Sequence, residues 1–380
     1  MKKTGISLCL AAALTLSGCG GNPNNSDSST RPEGPVELYQ LAPSSKPLMQ
    51  SYVIKTKHNK LIVIDGGIDG VGSEADPYMP AALRSILGLE EGEYFEIDAW
   101  FLSHPHSDHY YELSKCMRDY TKDSNYKIKE FYFDFPDLAD YYAARPELGL
   151  TAYSYTVNSK FEDFKRNFNK YAEVNGIEIE SASGLWYDDI NGYIINKEEI
   201  YWGLDIEIDG VRFEIMQTWD YADRKGSEDL NETSLVMRAW VENQSILFLN
   251  DLGGYNSNMS SGARLINTYG EELKSDIVQM AHHGQRGSQK ALYDLVNADV
   301  FLWATPNFVW NGWNGDDIPS YTNLVQTRKW VNGGVDFSTA SAHHIVACLY
   351  EAYPKNATSV ADWNAVKDGM KITLPYKPEA

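Results

Sequence analysis

Apolar residues in this 380-residue chain fall into short runs, each closed by a turn signal or a polar cluster. Ser51–Ile54 and Leu61–Ile64 are β-branched runs flanking Lys57-His58-Asn59-Lys60, a spacing that predicts a hairpin. Asp65-Gly66-Gly67 follows as a tight turn. Pro77 opens a predicted helix over Tyr78–Leu87, with a buried strand at Ile97–Leu102 and a helix over Leu113–Tyr120. Lys129–Phe133 reads as a strand, and an amphipathic helix near Phe161–Tyr171 lies in a Tyr-rich insert spanning about 134–202. Leu204–Ile208 and Val211–Met216 flank Asp209-Gly210, a hairpin turn signal. Strands then follow at Ser234–Val241 and Ser245–Leu249, a helix over Ala263–Leu273 and a strand at Ile277–Met280. The last elements are a helix from about Ser288, a strand at Val300–Ala304, a helix near Leu324–Trp330 and a strand at His344–Tyr350. Strands and helices alternate, and polar residues recur where strands end. That pattern predicts a layered α/β fold with its chemistry at the sheet edges.

The N-terminus departs from this pattern. Lys2 and Lys3 precede an apolar run, Ile6–Leu16, too short for an ordinary membrane span, and then Leu16-Ser17-Gly18-Cys19. This reads as a bacterial lipoprotein signal over residues 1–18 that leaves Cys19 as a lipidated N-terminus. Residues 19–35 read as a flexible tether and 36–380 as the folded domain. The expected location is the outer face of a bacterial membrane. Formal net charge is −20, a balance that repels phosphate backbones and weighs against nucleic acid as the partner. Of four cysteines, Cys9 leaves with the signal and Cys19 takes lipid. Cys116 and Cys348 remain, expected as buried small hydrophobes.

Chemistry concentrates in Ser103-His104-Pro105-His106-Ser107-Asp108-His109. Three imidazoles and a carboxylate in six residues suit zinc or a similar divalent ion. His104 and His106 share a face of an extended turn, whereas Asp108 and His109 start a helix and diverge toward a second position. That arrangement suits two ions close together. The H-x-H-x-D-H run and the order of elements resemble the metallo-β-lactamase-like hydrolase superfamily. Within it, the likeness is to the ComEC-type competence hydrolase domain and the phosphorylcholine esterase branch. Asp65 after its strand, Asn231-Glu232-Thr233-Ser234, Leu249-Asn250-Asp251, Gln279-Met280-Ala281-His282-His283-Gly284 and Ile318-Pro319-Ser320 extend the likeness along the chain.

The resemblance implies a four-layer αββα sandwich. It assigns His104 and His106 to a first ion and Asp108, His109 and His283 to a second, with Asp251 bridging. The two ions are expected to be zinc, with manganese or iron compatible with the same ligands. His282 would face the substrate as a hydrogen-bond or proton donor, and Asp65 would orient a ligand histidine. No histidine stands between His109 and Asp251 to complete the first site; Asn231 or water would take that place. Gln285 replaces the serine that commonly follows His-His-Gly. Two ions sharing an aspartate would supply hydroxide as nucleophile near neutral pH, which points to a phosphoesterase or phosphodiesterase with Asp108 and His282 in catalytic roles. Trp303, Phe308, Trp310 and Trp313 would stack on a sugar or base or cage a quaternary ammonium, or pack against one another. Competing readings are an extracellular nuclease of the competence type and an inactive surface-binding lipoprotein.

Overall fold

A computed structural model describes residues 31–41, 50–67, 77–135, 153–176, 203–218, 230–253, 261–284, 287–304, 344–348 and 370–376. The first large sheet runs β15 (Met370–Leu374), β1 (Val36–Gln40), β2 (Tyr52–Lys55), β3 (Leu61–Ile64), β5 (Ala99–Phe101), β7 (Phe131–Tyr132). The second runs β14 (His344–Cys348), β13 (Val300–Ala304), β12 (Ile277–Gln279), β11 (Gln244–Phe248), β10 (Val236–Val241), β9 (Val211–Gln217), β8 (Asp205–Ile208). A small parallel pair joins β4 (Phe95–Ile97) to β6 (Tyr126–Ile128). The helices are α1 (Met79–Ile86), α2 (Ser107–Asp119), α3 (Tyr153–Asn175), α4 (Ser261–Tyr269) and α5 (Lys290–Val296). None of the described helices is long and apolar enough to cross a membrane.

Alternation along buried strands builds the layers. In β3, Ile62 and Ile64 enter the core between the sheets, while Leu61 and Val63 pack with α1, α2 and α3 on the outside. In β11, Ile246 and Phe248 face the first sheet, and Leu247 packs outward with Leu265 of α4 and Leu292 and Val296 of α5. Both faces of each sheet are therefore covered, which is why these strands read as continuous apolar runs. The result is the expected αββα sandwich. Each fully buried aliphatic side chain contributes about 1.5–3 kcal/mol relative to exposure, so three apolar clusters of this size dominate the stability.

The hairpin β2–β3 forms in the register Tyr52↔Ile64 to Lys55↔Leu61. Other boundaries differ from expectation. Ile97–Leu102 is not one strand: Asp98 interrupts it, exchanging hydrogen bonds with the backbone of Leu61 and pairing with Lys129 at 3.0 Å, so the chain steps from the small sheet into the large one. Helix α2 starts at Ser107, six residues before the expected Leu113, because Asp108 favours a first helical turn. β1 and β15 had no counterpart in the sequence pattern. They pair antiparallel across most of the chain, Val36↔Leu374 to Gln40↔Met370. Glu37 and Gln40 broke the apolar signal of β1, yet both are buried, Glu37 between Lys55 and Lys371 of the neighbouring strands. Within the Tyr-rich insert, the described helix α3 belongs to the outer layer: Phe164 meets Tyr110 at 5.0 Å and Asn167 donates to the Ser114 carbonyl at 3.2 Å. Cys116 is free and buried, as expected. The signal segment, Cys19, the Leu324–Trp330 helix and the Pro319 loop lie outside the described residues.

The two sheets are also tied at their turns. His58, in the β2–β3 turn, bonds Asp209 of the β8–β9 turn at 2.7 Å, and Thr56 donates to the same carboxylate. The Asp209 bond and charge hold the His58 imidazole above its ordinary pKa; burial opposes a low Asp209 pKa, but Thr56 and His58 together bring it down. A raised histidine pKa stabilises the fold below the unfolded value and is lost as pH rises through the folded one. His58→Ala is expected to lower Tm relative to wild type at about pH 5.5, with the gap closing by about pH 9. Equal gaps at both pH values in thermal melts would remove the pair from the account.

Candidate metal centre

Four chain segments deliver carboxylates and imidazoles to one edge of the sandwich. Asp65 follows β3, the His104–His109 run follows β5 and enters α2, Asp251 follows β11, and Ala281–Gly284 forms a kinked, left-handed turn after β12. Oδ2 of Asp251 is the convergence point. His109 Nε2 lies 3.2 Å from it, His104 Nε2 3.8 Å, His283 Nε2 3.8 Å and His282 Nε2 3.9 Å. Asp108 Oδ2 stands 3.5 Å from His283 Nε2 and 4.0 Å from His109 Nε2. Two ligand clusters share Asp251, each with its atoms within 4.8 Å of one another: His104, His106, Asp251 and Asp108, His109, Asp251, His283.

The far side of three of these rings is fixed. His109 Nδ1 bonds Asp65 Oδ2 at 2.7 Å, His104 Nδ1 bonds Ser103 Oγ at 3.0 Å, and His283 Nδ1 bonds the Ala304 carbonyl at 2.9 Å. Asp65 also accepts from the Ser103 amide and hydroxyl, both at 2.8 Å. A carboxylate or carbonyl acceptor at Nδ1 requires the proton there, leaving the Nε2 lone pair free to bind a cation. His104 Nε2, His283 Nε2 and Asp251 Oδ1 are buried with no hydrogen-bond partner among the described residues. Buried polar atoms without partners are costly, and a divalent ion at each cluster would satisfy them. The nitrogen and oxygen donor set fits zinc, manganese or iron.

Charges in the cluster depend on one another. Burial and the neighbouring His109 and His106 hold His104 well below its ordinary pKa. Burial opposes a charged His109, but Asp251 and Asp65 outweigh it and raise the imidazole well above the usual range. For Asp251, burial favours the neutral acid, while His109, His283 and His282 hold the carboxylate ionised. Asp108 follows the same pattern, kept ionised against burial by His283 and His109. Protons and metal ions therefore compete for the same atoms.

Local backbone geometry presents these groups. Asp65, Asn250, His282 and His283 all have positive φ, near 50–55°. Such left-handed residues turn the chain sharply at a strand end, and outside glycine they need external support. Gly284 continues the series at φ 77°, and a Cβ there would lie 2.0 Å from Trp303 Nε1, so only glycine fits. Trp303 Nε1 donates to the His283 carbonyl at 2.7 Å. Trp303 was expected in the substrate pocket; this is corrected. It is fully buried on the outer face of β13, among Leu292, Val296 and Phe301, and it props the His-His-Gly turn.

Asn231, within the 3-10 turn Leu230–Thr233, places Nδ2 3.4 Å from His282 Nε2. The His282 side chain retains 21% exposure, against none for His104, His109 and His283. Trp310 and Trp313 fall outside the described residues, as do Phe308 and Gln285. Ser103 was missed by sequence reasoning. Its adjacency to His104 at a strand end was the available signal, but its bond to Asp65 is long-range. Glu232 was also missed: it accepts from the Ser261 amide at 2.7 Å and hydroxyl at 2.6 Å, tying the start of α4 to the turn that carries Asn231.

The family model of the metallo-beta-lactamase superfamily matches residues 50–215. No curated protein matches the chain. Among solved structures, the metallo-beta-lactamase fold protein YhfI from Bacillus subtilis is 11% identical, with 83% of this chain and 97% of that chain covered and a TM-score of 0.39. CmlA, a diiron beta-hydroxylase from Streptomyces venezuelae, is 13% identical over 80% of this chain and 52% of that one, with a TM-score of 0.41. A diphosphatase from the PhnP family is 15% identical over 71% and 86%, with a TM-score of 0.33.

Asp65 sits behind the ligands and touches no open face, so Asp65→Ala tests the support of the rings. Divalent-ion affinity is expected to fall on the order of 10- to 100-fold, measured by competition with a chromophoric chelator. Unchanged affinity would remove Asp65 from the centre.

Proposed function

We propose that this chain is a metal-dependent hydrolase of the metallo-β-lactamase superfamily that cleaves phosphoesters, phosphodiesters first among them. The observation that carries the reading is the single oxygen Asp251 Oδ2 within 4 Å of four imidazole nitrogens, with three of those rings locked from behind. His104, His106 and Asp251 would hold one ion; Asp108, His109, Asp251 and His283 would hold the other. Divalent ions bound there lower the pKa of water toward neutrality and offset charge developing on substrate oxygens. The chain's own groups supply the rest. Asp65 and Ser103 keep the rings of His104 and His109 oriented, and Trp303 keeps His283 in place. His282, partly exposed, would donate to a substrate oxygen.

Phosphoesters are favoured because the two clusters sharing Asp251 would hold a pair of divalent ions, whose charge would suit phosphoryl oxygens, and because the motifs resemble those of the phosphorylcholine esterase branch. Against a polynucleotide substrate stands the net charge of −20. Zinc is the proposed metal, with manganese or iron as alternatives. The proposed organisation keeps residues 1–18 as signal, 19–35 as lipidated tether and 36–380 as the hydrolase, anchored to the bacterial envelope through Cys19.

Purified protein is expected to carry divalent metal and to hydrolyse a chromogenic phosphodiester. Asp108→Ala is expected to reduce kcat/KM by at least about a hundredfold, since it removes a ligand and an active-site carboxylate together. Phosphorylcholine esters, lactones and DNA belong in the same assay; turnover confined to a lactone would overturn the phosphoester reading. A protein without metal and no more active than the variant would overturn the enzyme reading. For the anchor, Cys19→Ser is expected to shift the protein from the membrane to the soluble fraction on cell fractionation, and an unchanged distribution refutes it.

A further inference from the structure

Behind the ligands, between the two sheets, three fully buried carboxamides form a closed ring. Asn250 Oδ1 accepts from Gln50 Nε2 at 3.4 Å, and Gln50 Oε1 accepts from Gln279 Nε2 at 3.1 Å. Gln279 Oε1 in turn accepts from the Asn250 amide at 2.5 Å. The orientation of each amide follows from the backbone. The Asn250 N–H can only donate, so oxygen must face it; Gln279 Nε2 then faces the carbonyls of Asn250 at 3.2 Å and Met280 at 2.5 Å. Asn250 Nδ2 donates to the Leu235 carbonyl at 2.5 Å, which fixes the remaining side chain.

One side chain thus clasps two ligand-bearing segments. Asn250 immediately precedes Asp251, and Met280 stands three residues before His283. The Asn250 carbonyl also accepts from the His282 amide at 2.9 Å, joining the same two segments again. β11 and β12 are parallel and paired only as far as Phe248↔Gln279, so the ladder stops before either ligand. Beyond that pair the chain turns left-handed at Asn250 and again at His282 and His283. The Gln279 carboxamide replaces the missing ladder at this point.

We propose that Gln279 is a positioning residue: by bonding Asn250 N–H, Asn250 C=O and Met280 C=O, it sets the spacing between Asp251 and His283 and thereby the affinity of the second metal cluster. This rests on the two-ion reading above. The first cluster draws on Asp251 but not on His283, so an error in that spacing weakens the two clusters unequally.

The test is a Co²⁺ titration of metal-free full-length protein, read by visible absorption and by bound-metal stoichiometry. Gln279→Met keeps the length and removes the bonds; Val278→Ala, on the opposite face of β12, serves as a control for lost packing. Wild type is expected to bind two equivalents. Gln279→Met is expected to weaken one equivalent on the order of 10- to 100-fold, with an altered Co²⁺ spectrum, and to hold the other nearly unchanged. Val278→Ala is expected to lose Tm with both equivalents retained. If Gln279→Met does not fold, Gln50→Met, which removes one bond to Gln279, is expected to give the same unequal loss in weaker form. Unchanged binding in the folded glutamine variant, or equal weakening of both equivalents, overturns the proposal. Wild type that binds no Co²⁺ at all refutes the metal centre instead, independently of Gln279.

Discussion

A carboxylate buried among imidazoles is stable only if its surroundings supply positive charge in fixed positions, and Asp251 is the group on which this structure depends. Its side chain is almost fully buried, and desolvation opposes its ionisation. Isolated charges of this kind cost several kcal/mol in a protein interior. Imidazoles from two separate segments offset that cost, and three of the four are held from behind. Asp65 supports His109, Ser103 supports His104, and the Ala304 carbonyl supports His283. Removing any support leaves a ring free to rotate its Nε2 away from the shared oxygen.

This demand explains why unusual backbone gathers at one edge of the sandwich. Strand ends must stop pairing abruptly to aim side chains into a common space, and the left-handed residues Asp65, Asn250, His282 and His283 do this. Such conformations cost on the order of 1–3 kcal/mol each for non-glycine residues. The surrounding contacts over-determine them. Trp303 clamps His283, the amide ring clamps Asn250, and Ser51 donates to the Asp65 carbonyl. The interior on either side is apolar and close-packed, so these polar props are the means by which the site departs from a regular sheet edge.

Much of this was legible in the chain. The strands that line the inter-sheet core announced themselves as β-branched runs, and Asp209-Gly210 and the Lys57–Lys60 turn marked their hairpins. Metal-ligand residue types clustered locally in His104–His109 and again at His282-His283. What escaped were features whose meaning depends on partners distant in sequence. β1 and β15 pair across more than three hundred residues, and Glu37 reads as a strand breaker until Lys55 and Lys371 are seen beside it. Trp303 reads as an aromatic near a site, yet the period of β13 turns it to the outer face.

By itself the sequence determined the alternation of elements, the two-faced burial of the central strands, and the presence of ligand-bearing turns, because these follow from local periodicity and local side-chain chemistry. Only the tertiary structure decided that four imidazoles meet one oxygen of Asp251, that Asp65 reaches His109, and that Gln279 bridges the strand ends carrying Asp251 and His283. The physical reason is one of range. Hydrophobic period and turn propensity act over a few residues, whereas charge compensation in a buried site acts over a few ångströms between residues that the fold, and not the chain, makes neighbours.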